Sequence, residues 1–386
     1  MKNKNWIVTI IVLSQFSCIS LWFAGNAVME DLMIDFDLKA NALGHLTSAV
    51  QFGFIIGTLL FAILTISDRF SPSRVFFVNA ILGALVNALI ILQGNTYASL
   101  LLLRFLTGFF LAGIYPVGMK IAADHFSKTL GVSLGFLVGA LTLGTGFPHI
   151  LRNFTSELPW KTVIVITSLL AVLGGMIILL FVKDGPYREK SKEFDVSVFM
   201  RVFRKADFRS AAFGYFGHMW ELYALWTFIP IILYNFQEMH SGVNLNIPAL
   251  SFIIISSGGV ACVISGYISL RVGTKKTAFT ALLLSGLCCI LSPILFQIDN
   301  PVIFITFMVF WGMVVVADSP LFSTLVAQNV AGEAKGTALT IVNSIGFSIT
   351  ILSIQLLNSL STVMRAEYMF LLLAAGPLFG LIALKE

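Results

Sequence analysis

Windows of about 20 mainly apolar residues, each long enough to cross a bilayer as a helix, recur along the whole chain and leave little else for it to fold into. They begin at Trp6, Leu43, Val75, Ala98, Leu130 and Thr162 in the first half, and near Ser210, Ala249, Thr277, Val302, Gly336 and Thr362 in the second. The expected fold is therefore an all-α membrane protein of twelve transmembrane helices. Composition agrees: 58% of the 386 residues are hydrophobic and 11% charged, with a mean hydropathy of +0.93. That surplus exceeds what a soluble core of this size hides, so it faces lipid. Continuous apolar runs also exclude a β-barrel, whose strands show short alternating segments.

The basic residues set the orientation. With the N-terminus inside, nineteen of the 24 Lys and Arg fall on inner segments, among them Lys2, Lys4, Lys120, Lys128, Lys335 and Lys385. Only Lys39, Arg152, Lys161 and Arg365 fall outside, and Arg104 lies within a span. The positive-inside rule then places both termini in the cytoplasm of a multi-pass protein in a bacterial-type inner (plasma) membrane. The short basic N-terminus, Met1 to Trp6, leads into an apolar run without a small-residue cleavage site, and reads as a retained first helix. The net charge of +5 is thus a topology signal, not a sign of a nucleic-acid partner. Cys18, Cys262, Cys288 and Cys289 all sit in apolar runs without metal-ligand spacing and read as small core residues.

One long hydrophilic stretch, from Lys183 to Arg209, lies at the midpoint with eight cations against five acids. It divides the chain into a six-helix bundle at 1–182, a cytoplasmic linker at 183–209 and a second six-helix bundle at 210–386. Within it, Val196 to Phe203 has the pattern of a surface amphipathic helix, with Val198, Phe199 and Phe203 apolar against Arg201, Arg204 and Lys205; a solvated linker fits equally well.

The halves resemble one another. After the second span comes Ser67-Asp68-Arg69-Phe70-Ser71-Pro72-Ser73-Arg74, and after the eighth, 202 residues on, a stretch with Gly266, Leu270, Arg271, Gly273, Lys275 and Lys276. The sequence here resembles the major facilitator superfamily, whose loop G-x-x-x-D-R-x-G-x-K/R-K/R follows helix 2 and recurs after helix 8. Each copy is imperfect: the first has Leu64 and Ser71 at the glycine positions, the second Leu270 for the aspartate. The resemblance covers the whole chain. It implies two pseudo-symmetric bundles and a gating loop in which Asp68, Arg69, Arg74, Gly266, Arg271, Gly273, Lys275 and Lys276 latch the cytoplasmic side; as topology charges alone, the cations would stay cytoplasmic too.

Within the spans, polar residues are rare enough to be examined singly. Arg104, followed by Gly108 and Gly113, is similar to the family's helix 4 pattern. A cation at that depth costs roughly 3 kcal/mol or more unless paired or hydrated, so Arg104 points into the bundle, toward substrate, a proton partner or helix-end carbonyls. The fifth span spaces Gly131, Gly135 and Gly139 for close packing. It ends Gly146-Phe147-Pro148-His149, where the family's antiporter signature has a Gly-Pro pair and two further glycines. His149 and Arg152 then stand near the outer mouth, to attract an anion or to rest in headgroup water.

The seventh span is the richest. His218 and Glu221 are three apart, on one helix face. An ionised carboxylate in such a span costs several kcal/mol, and a group that sheds and regains a proton uses that cost. Glu221 is the first choice for proton coupling, with His218 and Asp318 beside it; a neutral pair of His218 with Glu221 holding helices together is the bland reading. Trp220, Tyr223 and Trp226 are placed to wall a binding cavity, though aromatics are common throughout this chain. Asp318 precedes Pro320, which frees a backbone carbonyl and kinks a helix. In the first span Gln15, Trp22, Asn26 and Glu30 trace a polar stripe, joined by Gln51 and Asn343, as cavity lining or as helix-to-helix hydrogen bonds.

An enzyme has no foothold: there is no G-x-S-x-G, H-E-x-x-H or phosphate-binding loop, and His45, His125, His149, His218 and His240 are scattered. No cofactor or metal is expected. The chain reads as a monomeric secondary active transporter working by alternating access, with protons, a small-molecule substrate and the lipid bilayer as its partners. The leading substrate class is a small organic anion taken up by symport; alternatives are proton-driven efflux of amphipathic or drug-like compounds and a non-transporting receptor on the same scaffold.

Overall fold

The computed structural model describes residues 5–126, 130–188, 201–330, 335–361 and 363–385. Lys2, Lys4 and Lys128, and Val198 and Phe199 of the central stretch, lie outside the described residues, as does the side chain of Asp68. Ten helices among the described residues are long and apolar enough to span a membrane. Large apolar side chains stand exposed on them, Leu270, Val302 and Ile294 among them, as a lipid-facing surface requires.

The chain divides into two compact units, Met1–Asp195 and Val196–Glu386. In the first, α1 (Asn5–Ile19) is followed by two short pieces, α2 (Ala24–Ala27) and α3 (Met29–Asp35). Then come α4 (Ala42–Ile63), a single turn α5 (Ile66–Arg69), α6 (Pro72–Ala88), α7 (Tyr97–Leu111), α8 (Tyr115–His125), α9 (Leu130–Phe154) and α10 (Lys161–Phe181). The second holds α11 (Ala206–Met239), α12 (Ile247–Val272), α13 (Thr274–Gln297), α14 (Pro301–Ala317), α15 (Ser319–Gln328), α16 (Lys335–Leu360), α17 (Ala366–Met369) and α18 (Ala375–Lys385). Helix starts fall within a few residues of the apolar windows, and several begin at a proline or a capping polar residue. Thr96 and Ser99 form a capping box on α7, and the side chains of Asn246 and Asn300 accept the first free N–H groups of α12 and α14.

One tightly apposed helix pair recurs in both units. In the first, α4 meets α7 backbone to backbone, because a Cβ at Gly53 would strike the carbonyl of Phe105 and one at Gly108 that of Val50. In the second, α12 meets α14 where a Cβ at Gly312 would strike the Ile254 carbonyl and one at Gly258 the side chain of Val316. Small residues admit this approach where no hydrophobic effect draws helices together in lipid. Gly108 and Gly312 stand 204 positions apart, and so do Pro116 and Pro320, each of which opens the second half of a broken helix. The internal repeat is thus carried in packing and in helix breaks, not only in the connecting loops. The glycines of the fifth span differ in use: Gly144 abuts Phe16 and Ile19 of α1, whereas Gly135 faces open space.

Candidate functional site

Three buried ionisable side chains of the second unit, His218, Glu221 and Asp318, lie on or near the α14–α15 break. Pro320 has no N–H, which leaves the Val316 carbonyl without its helical donor, while Leu321 turns its N–H to Asp318. The two orphaned carbonyls are taken by α12: Cys262 Sγ donates to Val316 O at 3.2 Å and Ser265 Oγ to Ala317 O at 2.6 Å. Asp318, held at this break, is 0% exposed, and its Oδ1 lies 2.8 Å from Nδ1 of His218, itself 1% exposed. Asp318 Oδ2 and His218 Nε2 have no hydrogen-bond partner among the described residues.

One turn along α11, Glu221 is also buried, and its Oε1 accepts three donors: Ser285 Oγ at 2.5 Å, Trp311 Nε1 at 2.6 Å and Cys289 Sγ at 3.3 Å. The indole can only donate, so it fixes which carboxylate oxygen is the acceptor. His218 and Glu221 do not pair with each other: His218 meets Asp318 at the α14–α15 break, whereas Glu221 meets α13 and the middle of α14. Sequence reasoning missed Ser285, Cys289 and Trp311. A signal for two of them existed, since Ser285 and Cys289 are spaced i, i+4 and so share one face of an otherwise apolar helix.

Of the aromatic candidates, Trp220 donates to Leu372 O at 3.2 Å, while Tyr223 packs against Trp226 and Phe347 with ring centroids 5.3 Å away in each case. Trp226 is fully buried and its Nε1 has no hydrogen-bond partner among the described residues. Asn343 is half-buried on α16.

In the first unit the helix break between α1 and α2 receives Arg104. Its guanidinium, 2% exposed, donates from Nη1 to Leu21 O at 3.2 Å and from Nη2 to Trp22 O, and no carboxylate pairs with it among the described residues. Around this break Trp22 packs on Phe54 at 4.9 Å and Asn26 Nδ2 donates to Thr47 Oγ1 at 2.8 Å. Thr47, Gln51 and Phe54 lie on one face of α4, which sets Gln51 opposite the same break. Gln15 and Gln51 are both fully buried, and neither amide has a hydrogen-bond partner among the described residues. The polar stripe of the first span is interrupted beyond Asn26: Glu30 is exposed. His149 is buried with Nε2 unpartnered among the described residues, and Arg152 is drawn away from it by Asp31 at 3.0 Å.

The two loop motifs are built differently. In the second, Gly273 alone connects α12 to α13; its φ of 96° is one that favours glycine, and Arg271, Lys275 and Lys276 are exposed around it. Gly266 lies inside α12 with nothing within reach of a Cβ. In the first, Arg69 Nε donates to Thr65 Oγ1 at 3.0 Å, Arg74 is exposed, and Ser71 Oγ donates to Asp184 Oδ1 at 2.6 Å. Arg188 pairs with Asp184 and donates to Phe70 O at 2.9 Å, so the residues after α10 are folded onto this loop.

Comparison with known proteins agrees with this architecture. The chain is 24% identical over 186 residues to an uncharacterized transporter of Buchnera aphidicola subsp. Schizaphis graminum (48% of this chain, 44% of that one). It is 21% identical over 209 residues to an uncharacterized transporter of Schizosaccharomyces pombe (50% and 41%). It thus spans less than half the length of the curated relatives it matches. Among solved structures, a bacterial homolog of the human lysosomal transporter Spinster, inward-facing and occupied, superposes with a TM-score of 0.71 at 16% identity, covering 100% of this chain and 96% of that one. A mutant of the nucleoside transporter NupG gives 0.72 at 14% identity, covering 98% of each. At such identities these likenesses show the fold alone. The family model of the Major Facilitator Superfamily, however, matches residues 7–354, and the chain belongs to that superfamily of transporters.

Proposed function

We propose that this transporter is a proton-coupled secondary carrier of a small organic anion, working by uptake symport and alternating access, as a monomer in an inner membrane with both termini cytoplasmic. The observation that carries the reading is the gathering of Glu221, His218 and Asp318, each at most 1% exposed, on facing helices of the second unit. An imidazole and a carboxylate 2.8 Å apart pass a proton between them without bulk water. Protonation changes the charge of the contact that holds α11 to the α14–α15 break, and thereby favours one helix arrangement over another.

Arg104 supports the anion. Among the described residues its positive charge is met only by backbone carbonyls, so a substrate carboxylate supplies the missing counter-charge, with the Trp22 ring and the amide of Gln51 set around the same break and the unpartnered amide of Gln15 further back on α1. Asn26, His149, Asn343 and the aromatic set Trp220, Tyr223 and Trp226 complete the proposed lining, and the two loop motifs the cytoplasmic latch. A second reading, efflux of an aromatic or amphipathic compound in exchange for protons, is favoured by the Tyr223–Trp226–Phe347 cluster with its unpartnered indole.

Proteoliposomes loaded with a pH-sensitive dye and challenged with pools of organic acids test the reading. Pool-dependent acidification of the lumen, lost in Asp318→Asn and Glu221→Gln, is expected. Solute movement without proton movement would overturn the coupling.

A further inference from the structure

One face of α11 leads from the pair His218–Asp318 to the aqueous end of the second unit. Asp207, Ser210, Gly214 and His218 follow one another at spacings of three and four and so lie along a single line. At its end is a cavity of about 220 Å³, lined among others by Asp207, Ser210, Lys275, Leu325, Gln328 and Asn329. It has room for several waters and polar groups to hold them. Ser210, one of the residues lining this cavity, is 5% exposed, and its hydroxyl has no hydrogen-bond partner among the described residues. A buried hydroxyl in that condition has donor and acceptor capacity free for a water entering from the cavity.

Between the cavity and the pair stands Phe322. Its ring, 0% exposed, occupies the space that a Cβ at Gly214 would claim, beside the cavity-lining Leu384. On its other side the ring centroid lies 6.0 Å from that of His218. The glycine at 214 thus makes room for one aromatic ring at the point where a polar line along α11 would otherwise continue.

We propose that this cavity is the port through which the His218–Asp318 pair exchanges its proton with water, inside the second unit, and that the Phe322 ring is the apolar gate that closes it. The inference rests on the reading that the pair carries the coupling proton. In the loading step a hydronium in the cavity gives a proton to His218 Nε2, and the imidazole releases the proton on Nδ1 to Asp318 Oδ1. Unloading reverses both transfers: Asp318 returns its proton to Nδ1 and Nε2 releases one to water, so the imidazole ends either step neutral and the carboxyl holds the proton only after loading. The titratable and charged groups around this route are Asp207 and Lys275 at the mouth, Tyr215 and Glu221 on α11, Cys262 from α12 and Cys289 from α13.

The test is passive proton leak into dye-loaded proteoliposomes under an imposed pH gradient, with no solute added. Phe322→Ala removes the gate, and a leak severalfold faster than that of the unsubstituted protein is expected. Adding Asp318→Asn to Phe322→Ala should return the leak to the original rate. A tight Phe322→Ala protein, monodisperse after purification, overturns the port, and so does a leak that survives in the double variant. Should Phe322→Ala fail to fold, Ser210→Cys is treated with a small charged methanethiosulfonate and the peptide is weighed. Labelling supports water at that hydroxyl, and an unlabelled Cys at 210 overturns the proposal. If Asp318→Asn abolishes acidification by organic acids while Phe322→Ala stays tight, the port alone is wrong. If Asp318→Asn keeps solute-linked acidification, the coupling reading has failed first.

Discussion

Trp311 gives its indole hydrogen to Glu221 across 2.6 Å, from α14 to α11, at a depth where neither side chain meets solvent. A donor-only group aimed at a carboxylate costs more to remove than to keep, because the oxygen it leaves is desolvated. Trp311→Phe is therefore expected to lower stability by about 1–3 kcal/mol, seen as an earlier thermal transition in detergent. Ser285→Ala, which removes the second donor but little volume, should show a smaller shift. Two unchanged melting curves would mean the carboxylate finds other partners.

Replacing Glu221 by Gln keeps the shape and supplies a neutral acceptor for all three donors, so the fold should survive. Gradient-driven accumulation should be lost while exchange of solute down its own gradient is partly retained. Accumulation at the normal level would remove Glu221 from the coupling mechanism.

Arg104 closes the α1 break through two carbonyls at once, one from each terminal nitrogen, a fixed planar spacing that the single nitrogen of an ammonium does not reproduce. Arg104→Lys keeps the charge and loses the fork. It should impair uptake of an anion severalfold with a modest loss of thermal stability, whereas Arg104→Ala should lower both. Equal uptake by all three proteins would show that no substrate charge is met there.

At Gly108 a side chain would collide with the backbone of Val50, which no rotamer relieves. Gly108→Val is expected to cost at least the 1–3 kcal/mol typical of overpacking and to reduce the folded yield. Gly135→Ala, facing open space in the same unit, is its control and should behave as the unsubstituted protein in size-exclusion chromatography.

Hydropathy made the spans legible because each has to satisfy its backbone internally in lipid, a local property that a short window captures. Pro320 likewise announced the break at Asp318. The break after Ile19 carries no proline; its carbonyls are met by Arg104, more than 80 positions away, and no local pattern reports a partner so distant. The same holds for His218, whose mate Asp318 is 100 positions on, and for Glu221, whose spacing from His218 pointed to a pair that the structure divides between separate partners. Long-range pairing in a helical bundle depends on which faces meet, and a hydropathy profile does not contain that.

The single residue joining α12 to α13 limits how the pair can move. With only Gly273 between them, the adjoining ends of the two helices stay together in any rearrangement of the second unit. Lys275 and Lys276 travel with that bend as one fixed pair of charges.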